Sequence, residues 1–309
     1  MAITVTQLST FLAVIRCGSV TAAADELVVT QPSVSSAISS LARELGCELF
    51  ERSGRGVRPT AAGAAFVPYA TDVIGLLQTG RQAAREAAQL ATRRLRIIAV
   101  TTAAESFVPP LMRAFSQRHP EIALTLDVGN RETVLDRIRS HAVDVAILGK
   151  PPADERLATE PLARNEIVCI TAPDDPTVRR EGVPAVELAD RPWLLREPGS
   201  GTRTLNQQFL SEREIDPETL TLGSNGAIKQ AARAGLGVSL MSREAVEGEL
   251  ASGRLGEIRL LDGPPSRTWF VVRSAVGPDR DVIRAFLAFI ATERRRPGEG
   301  DRAPATSAG

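Results

Sequence analysis

The first apolar stripe of the chain is Leu8, Phe11, Leu12 and Ile15, an i, i+3, i+4, i+7 spacing that predicts an amphipathic helix stopped by Gly18. A second short helix is expected over residues 21–27, where Ala22, Ala23 and Ala24 let another helix cross closely, and residues 28–30 form a turn. The third helix opens with Thr30 as N-cap and Pro32 in its first turn, where a missing N–H has no intrahelical partner to lose. Val34, Ile38, Leu41 and Leu45 form its buried stripe and Gly46 ends it, while Gln31, Ser33, Ser36, Ser39 and Ser40 make a polar, short-chained opposite face. Residues 49–52 and 57–58 flank the turn Gly54, Arg55, Gly56 and predict a small hairpin. Residues 60–91 are Ala-rich and helical, with Phe66, Val73, Leu76 and Leu77 on one side and a kink expected at Pro68. A helix of that length with no partner for its stripe in its own domain is expected to dimerise.

From Arg93 onward strands and helices alternate, the pattern of a parallel or mixed α/β sheet. Strands are expected at 95–100, along the alternation Ile122, Leu124, Leu126, Val128, at 143–148 and at 166–170, with helices at 107–117 and, capped by Asn130, at 131–140. Pro173 and Pro176 signal a crossing into a new unit, with strands near 193–195, 219–222 and 238–241 and helices near 202–212 and 226–234. A strand at 269–272 returns to the first unit and a helix at 280–293 follows. The charged, Pro/Gly-rich tail is expected to be disordered.

Composition narrows the class. A chain of 309 residues has room for two domains, and 43% hydrophobic residues exclude disorder throughout. No apolar run reaches the roughly 18 residues of a membrane helix. The N-terminus shows no basic stretch leading into an unbroken apolar one, so a cytoplasmic protein with no membrane partner is expected. The 37 basic and 37 acidic residues cancel, and net charge therefore speaks neither for nor against nucleic acid. Cys17, Cys47 and Cys169 are odd in number and far apart, which reads as reduced, mostly buried thiols.

Three short helices, a polar-faced third helix and an Arg-bearing hairpin match a winged helix-turn-helix, in which the second helix of the motif enters the major groove. A small helical module whose polar face merely meets water is the alternative. Within residues 1–60, Arg16, Arg43, Arg52, Arg55 and Arg58 are balanced by Asp25, Glu26, Glu44, Glu48 and Glu51. Three of the five arginines belong to the hairpin, and the polar face carries no acid before Glu44, so a positive rim can surround a neutral reading face.

The run Phe11-Leu12-Ala13-Val14, Gly18-Ser19-Val20-Thr21-Ala22-Ala23-Ala24, Leu27, Thr30-Gln31-Pro32-Ser33-Val34-Ser35, Ile38, Leu41, Leu45-Gly46, Leu49-Phe50-Glu51-Arg52 and Pro59-Thr60-Ala61-Ala62-Gly63 resembles the DNA-binding region of LysR-type transcriptional regulators. The resemblance implies an α+β multidomain chain. A winged helix-turn-helix would occupy 1–60, a dimerising linker helix 61–92 and a two-lobed α/β effector domain, similar to periplasmic binding proteins, 93–296. Lobe I would take 93–171 and 267–296, lobe II 172–266, and the tail 297–309. It also implies a homodimer or homotetramer on double-stranded DNA, acting on promoter occupancy or RNA polymerase recruitment. The DNA-binding set it suggests is Thr30, Gln31, Pro32, Ser33, Ser36 and Ser39 near bases and backbone, with Arg52 and Arg58 near phosphates or the minor groove. Ser36, Ser39 and Ser40 stand where many relatives have Arg or Lys, which shifts base recognition toward Gln31, able to pair bidentately with adenine, and toward DNA shape.

A second set of segments, 129–134, 144–152, 196–203 and 224–229, resembles the LysR branch that controls carbon-fixation and sulfur-assimilation genes. That branch implies a small anionic metabolite as effector, with no resident cofactor. Independently of the resemblance, ligands of open α/β sheets bind beyond the carboxyl ends of strands, where helix N-termini present free N–H groups. Thr101 and Thr102 follow the first strand of the domain; Ser200 and Thr202 stand at one helix start, and Ser224 and Asn225 at another. Together with Lys150 and Arg203 they form the expected effector site, ordinary N-caps and surface ion pairs being the alternative. An exported solute-binding protein is disfavoured by the absence of a leader signal. Enzyme readings find little support: His119 and His141 have no Cys or acid at metal-ligand spacing and read as surface histidines, residues 199–202 lack the phosphate-loop lysine, and Ser200 has no evident base.

Overall fold

Each expected boundary residue of the N-terminal half acts as a cap in the computed structural model, which describes residues 2–54, 56–89, 92–264 and 267–294. Contacts divide the chain into two units, Met1–Ala91 with Arg139–Ala142, and Thr92–Ile138 with Val143–Gly309. Arg55 and the tail at 297–309 lie outside the described residues.

The first unit holds α1 (Val5–Cys17), α2 (Val20–Leu27), α3 (Gln31–Leu45), the hairpin β1 (Phe50–Ser53) and β2 (Gly56–Pro59), and α4 (Ala61–Ala87). Thr4 and Gln7 form a capping box on α1, and Gly18, at φ 60°, ends it. The Thr30 hydroxyl accepts from the Ser33 N–H at the start of α3, and Gly46, at φ 71°, closes its far end. Phe11 anchors the core, its ring 5.4 Å from Phe50 and 5.5 Å from Phe66, among Leu8, Leu41, Leu49 and Ala70. The hairpin docks on the end of α1, where the Val57 N–H donates to the Gly18 carbonyl; a Cβ on Gly56 would lie 2.5 Å from that same oxygen. Helix α4 is continuous through Pro68. Its expected single stripe is split: Phe66 packs with Val67, Ala70 and Ile74 into the core of its own unit, whereas Tyr69, Val73 and Leu77 are exposed.

The second unit holds β3 (Arg94–Val100), a π turn (Ala103–Phe107), α5 (Val108–Arg118), β4 (Ala123–Gly129), α6 (Arg131–Arg139), β5 (Val145–Leu148), β6 (Leu157–Asn165), β7 (Ile167–Thr171), β8 (Trp193–Arg196), α7 (Gly201–Ser211), β9 (Thr219–Leu222), α8 (Asn225–Arg233), β10 (Ser239–Ser242), α9 (Glu247–Ala251), β11 (Gly256–Ile258), β12 (Arg267–Ser274) and α10 (Asp281–Arg294). One lobe is a five-stranded sheet of order β4-β3-β5-β12-β6, parallel around β3, with β12 antiparallel between β5 and β6. In the other, β7 lies antiparallel between β10 and β11, β8 pairs parallel with β9, and a bridge from Trp193 to Val238 joins the two ladders. Buried clusters cover both faces of each sheet, one pair around Phe115, Phe286 and Ile138, the other around Trp193, Phe209 and Ile228.

Three expectations are corrected. The chain leaves lobe I between Asn165 and Ile167 rather than after residue 171, because β7 bonds to β10 and β11 of lobe II. Strand β6, unforeseen, carries Pro161, which is tolerated because β6 is the edge strand of its sheet. His141 is buried rather than at the surface, and of the three cysteines only Cys169 is buried. Among the described residues no cluster of His, Cys, Asp and Glu suits a metal ion, and no helix is long and apolar enough to cross a membrane.

Candidate functional site

In the first unit, the buried side of α3 is Val34, Leu41 and Ala42, and this fixes what the opposite side presents. Thr30, Gln31, Pro32, Ser33, Ser36 and Ser39 are exposed, and Ser40 is half-buried at the edge of the same face. Thr30 Oγ1 and Ser33 Oγ are 2.8 Å apart and Gln31 Nε2 donates to Ser35 Oγ at 3.4 Å, contacts between neighbours that leave the face free for a partner. On the hairpin, Arg52 is exposed with no ion pair among the described residues, whereas Arg58 Nε lies 2.8 Å from Glu51 Oε1. Both partners are half-exposed or more, so the pair is worth little in water and breaks readily.

In the second unit, a cavity of about 380 Å³ opens between the two lobes. Of the expected site residues, Thr101, Thr102, Lys150, Ser200 and Thr202 line it. Three do not. Arg203 turns away, its Nη1 donating to the Arg196 carbonyl at 2.7 Å and to Thr221 Oγ1 at 3.2 Å. Ser224 caps α8, accepting from the Ala227 N–H at 3.0 Å, and Asn225 is buried one layer behind the wall.

The wall also holds residues that sequence reasoning missed, chiefly Arg131, Arg196, Glu197, Arg267 and Trp269. Arg267 opens the antiparallel strand β12, so it comes to the same sheet edge as the carboxyl ends of β3 and β5; the register Phe270↔Leu148 puts it beyond the last residue of β5, next to Gly149. Antiparallel pairing could have flagged it, had the neighbour of β12 been known. Arg267 is held below the ordinary arginine range, first by burial and then by the positive charge of Arg131. Neither the Arg267 nor the Lys150 side chain has a hydrogen bond or ion pair among the described residues. The single carboxylate on the wall among the described residues, Glu197, is engaged: Arg196 Nε and Nη2 grip its two oxygens at 2.7 and 2.8 Å. Burial pushes the Glu197 carboxyl up, but that grip outweighs it and keeps it below the usual glutamate range. Arg196 is thereby neutralised in place, and the excess charge of the cavity comes from Lys150 and Arg267, while Arg131 Nη1 donates to the Lys150 carbonyl at 2.6 Å.

The hydroxyl groups come from both lobes. Thr102, at the start of the π turn, makes no cap; its Oγ1 lies 3.2 Å from Thr202 Oγ1, across the cleft in the first turn of α7. Single π turns recur at functional sites because they re-aim the side chains around them. Ser200 caps α7, so the free N–H groups of that helix face the same space.

Comparison with known proteins agrees with both units. Residues 5–64 match the family described as "Bacterial regulatory helix-turn-helix protein, lysR family", and residues 88–295 match "LysR substrate binding domain". The RuBisCO operon transcriptional regulator of Allochromatium vinosum is 35% identical over 297 residues, covering 96% of this chain and 98% of that protein. The HTH-type transcriptional regulator CfxR of Cupriavidus necator is 33% identical over 290 residues, covering 93% and 91%. Among solved structures, the regulatory domain of CcmR from Synechocystis PCC6803, in complex with 2-PG, is 32% identical with a TM-score of 0.62, covering 66% of this chain and 99% of that one. These relatives lie on the carbon-fixation side of the branch that residues 129–229 resemble. With a match to the LysR helix-turn-helix in one unit and to the LysR substrate binding domain in the other, the chain belongs to the LysR family of bacterial transcriptional regulators.

Proposed function

We propose that the cavity of the second unit takes a small anionic metabolite, and that the occupant, by binding one lobe arrangement better than another, selects between promoter-bound states of the regulator. Charge carries this reading: Lys150 and Arg267 face a space whose one carboxylate among the described residues is already spent on Arg196. Lys150 and Arg267 are the anchors; Thr101, Thr102, Ser200 and Thr202, with the N-terminal N–H groups of α7, supply further donors. The complex of the related CcmR domain with 2-PG supports an anion of this size. No resident cofactor belongs to the reading.

On DNA, the exposed face of α3 enters the major groove, with Gln31 at a base edge and Thr30, Pro32, Ser33, Ser36 and Ser39 along bases and backbone, while Arg52 and Arg58 meet phosphates or the minor groove. Tyr69, Val73 and Leu77, spaced i, i+4, i+8 on α4, suit burial in a homodimer or homotetramer. Output through RNA polymerase in the cytoplasm completes the proposal. Isothermal titration of the full chain with 2-PG and with inorganic phosphate tests the anion site: the wild type binds at least one, and Arg267→Ala weakens binding by about tenfold or more. Equal affinity in the variant rejects Arg267 as an anchor.

A further inference from the structure

Asn225 is 1% exposed, does not line the cavity, and lies between two groups of opposite character. Its Oδ1 accepts from Arg196 Nη1, and its Nδ2 donates to Glu105 Oε2 at 2.8 Å and to Thr102 Oγ1 at 3.2 Å. A guanidinium can only donate and an ionised carboxylate can only accept, so one orientation of the amide satisfies both ends. Flipped, it would set its N–H groups against Arg196 and its oxygen against Glu105.

We propose that Asn225 and Glu105 are positioning residues of the effector site, which give a direction to a hydrogen-bond chain that ends at the cavity. With its Oγ1 accepting from Asn225, the Thr102 hydroxyl turns its own proton to the acceptor 3.2 Å away, Thr202 Oγ1. The Thr202 proton is then left for the occupant. A chain that always presents a donor at this point favours an anionic oxygen over a ligand N–H, and it does so from both lobes at once, since Thr102 and Glu105 belong to one and Arg196, Thr202 and Asn225 to the other. The proposal rests on the anion reading above and adds to it how the polarity of the hydroxyl pair is set.

Asn225→Asp reverses the chain. The introduced carboxylate still accepts from Arg196, but it has no N–H for Thr102, which now donates toward it; Thr202 then donates to Thr102 and offers the ligand only lone pairs. The same carboxylate also faces that of Glu105. Adding Glu105→Gln removes this repulsion and restores the contact between the lobes, yet gives Thr102 no donor. The test is isothermal titration of the full-length wild type, Asn225→Asp, Asn225→Asp/Glu105→Gln and Thr202→Val with inorganic phosphate and 2-PG, alongside thermal melts. The expected result is about a tenfold loss in Asn225→Asp, a double variant that melts near wild type but stays weak, and a similar loss in Thr202→Val that does not deepen when Asn225→Asp is added. Wild-type affinity in the double variant overturns the proposal, because the contact alone then suffices; so does a Thr202→Val variant that binds as wild type, even if Asn225→Asp fails to fold. A wild type that binds neither probe brings down the anion reading and this proposal together, a result distinct from normal wild-type binding with indifferent variants.

Discussion

Gly63 of α4 lies so close to Leu49 that a Cβ built on the glycine would stand 2.1 Å from the Leu49 carbonyl oxygen. The same contact region ties the end of the helix-turn-helix to α4, since Thr60 N–H donates to that carbonyl at 3.0 Å and Thr60 Oγ1 to the Glu48 carbonyl at 2.8 Å. Alanine gains about 1 kcal/mol over glycine in a helix, but here the obstacle is backbone and cannot rotate away. Gly63→Ala is therefore expected to lose about 2 kcal/mol net, read as a lower urea midpoint with an unchanged slope. A more stable variant would mean that α4 does not approach the loop this closely.

Asp175 gives the second unit a pH-dependent contribution to stability. Burial pushes its carboxyl up, but hydrogen bonds from Thr177 and from the Arg191 guanidinium, whose Nη1 is 2.6 Å from Oδ2, outweigh burial and hold it down to about 2. A carboxyl depressed in the folded state stabilises the fold above its unfolded value near 4, and the contribution disappears as pH falls from about 4 to about 2. At pH 7, Asp175→Asn is expected to cost about 2 kcal/mol. The difference in melting temperature between wild type and variant should shrink across that acid window, and a constant difference would contradict the assignment.

The three thiols should separate by reactivity. Cys47 is exposed; the Cys17 thiol is raised, first by its hydrogen bond to Glu26 and then by burial; Cys169 is pushed up to about 12 by burial in β7. Since the thiolate is the reacting form, a disulfide-exchange reagent at pH 8 should label Cys47 first, Cys17 more slowly, and Cys169 only after unfolding. Prompt labelling of all three in the native protein would place Cys169 outside the core.

What the sequence reveals and what it hides follow from the range of the interactions. Helix starts and stops are local: Thr30, Gly46 and Asn130 act within one turn of their own position, and each caps where its residue type predicts. Strand partners are not local. Residues 166–170 read correctly as a strand, but nothing in those residues tells that β10 and β11, far along the chain, are their neighbours, so the lobe boundary falls earlier than the prolines suggest. The candidate site divides in the same way. Thr102, Ser200 and Thr202 are legible as groups beyond strand ends or at helix starts, whereas Arg131 and Arg267 reach the cavity only through sheet order. Asn225 reads as a ligand group because polar residues at helix starts usually face solvent; Arg196 and Glu105, far away in sequence, require it inside.

The hairpin makes the last prediction. Arg52 is free to meet a phosphate, while Arg58 is tied to Glu51, whose own charge repels the duplex. Replacing Arg52 by alanine should remove about one phosphate contact, lowering the slope of log affinity against log salt by about 1 in gel-shift titrations, with little change in sequence preference. Gln31→Ala should instead relax preference at one base position and leave the slope alone. Glu51→Gln releases Arg58 and takes away one negative charge, so DNA affinity should rise, and rise most at low salt, where the phosphate field is least screened. If Glu51→Gln binds more weakly than wild type, the ion pair serves to hold the hairpin in shape rather than to restrain Arg58, and the arginine does not reach the backbone.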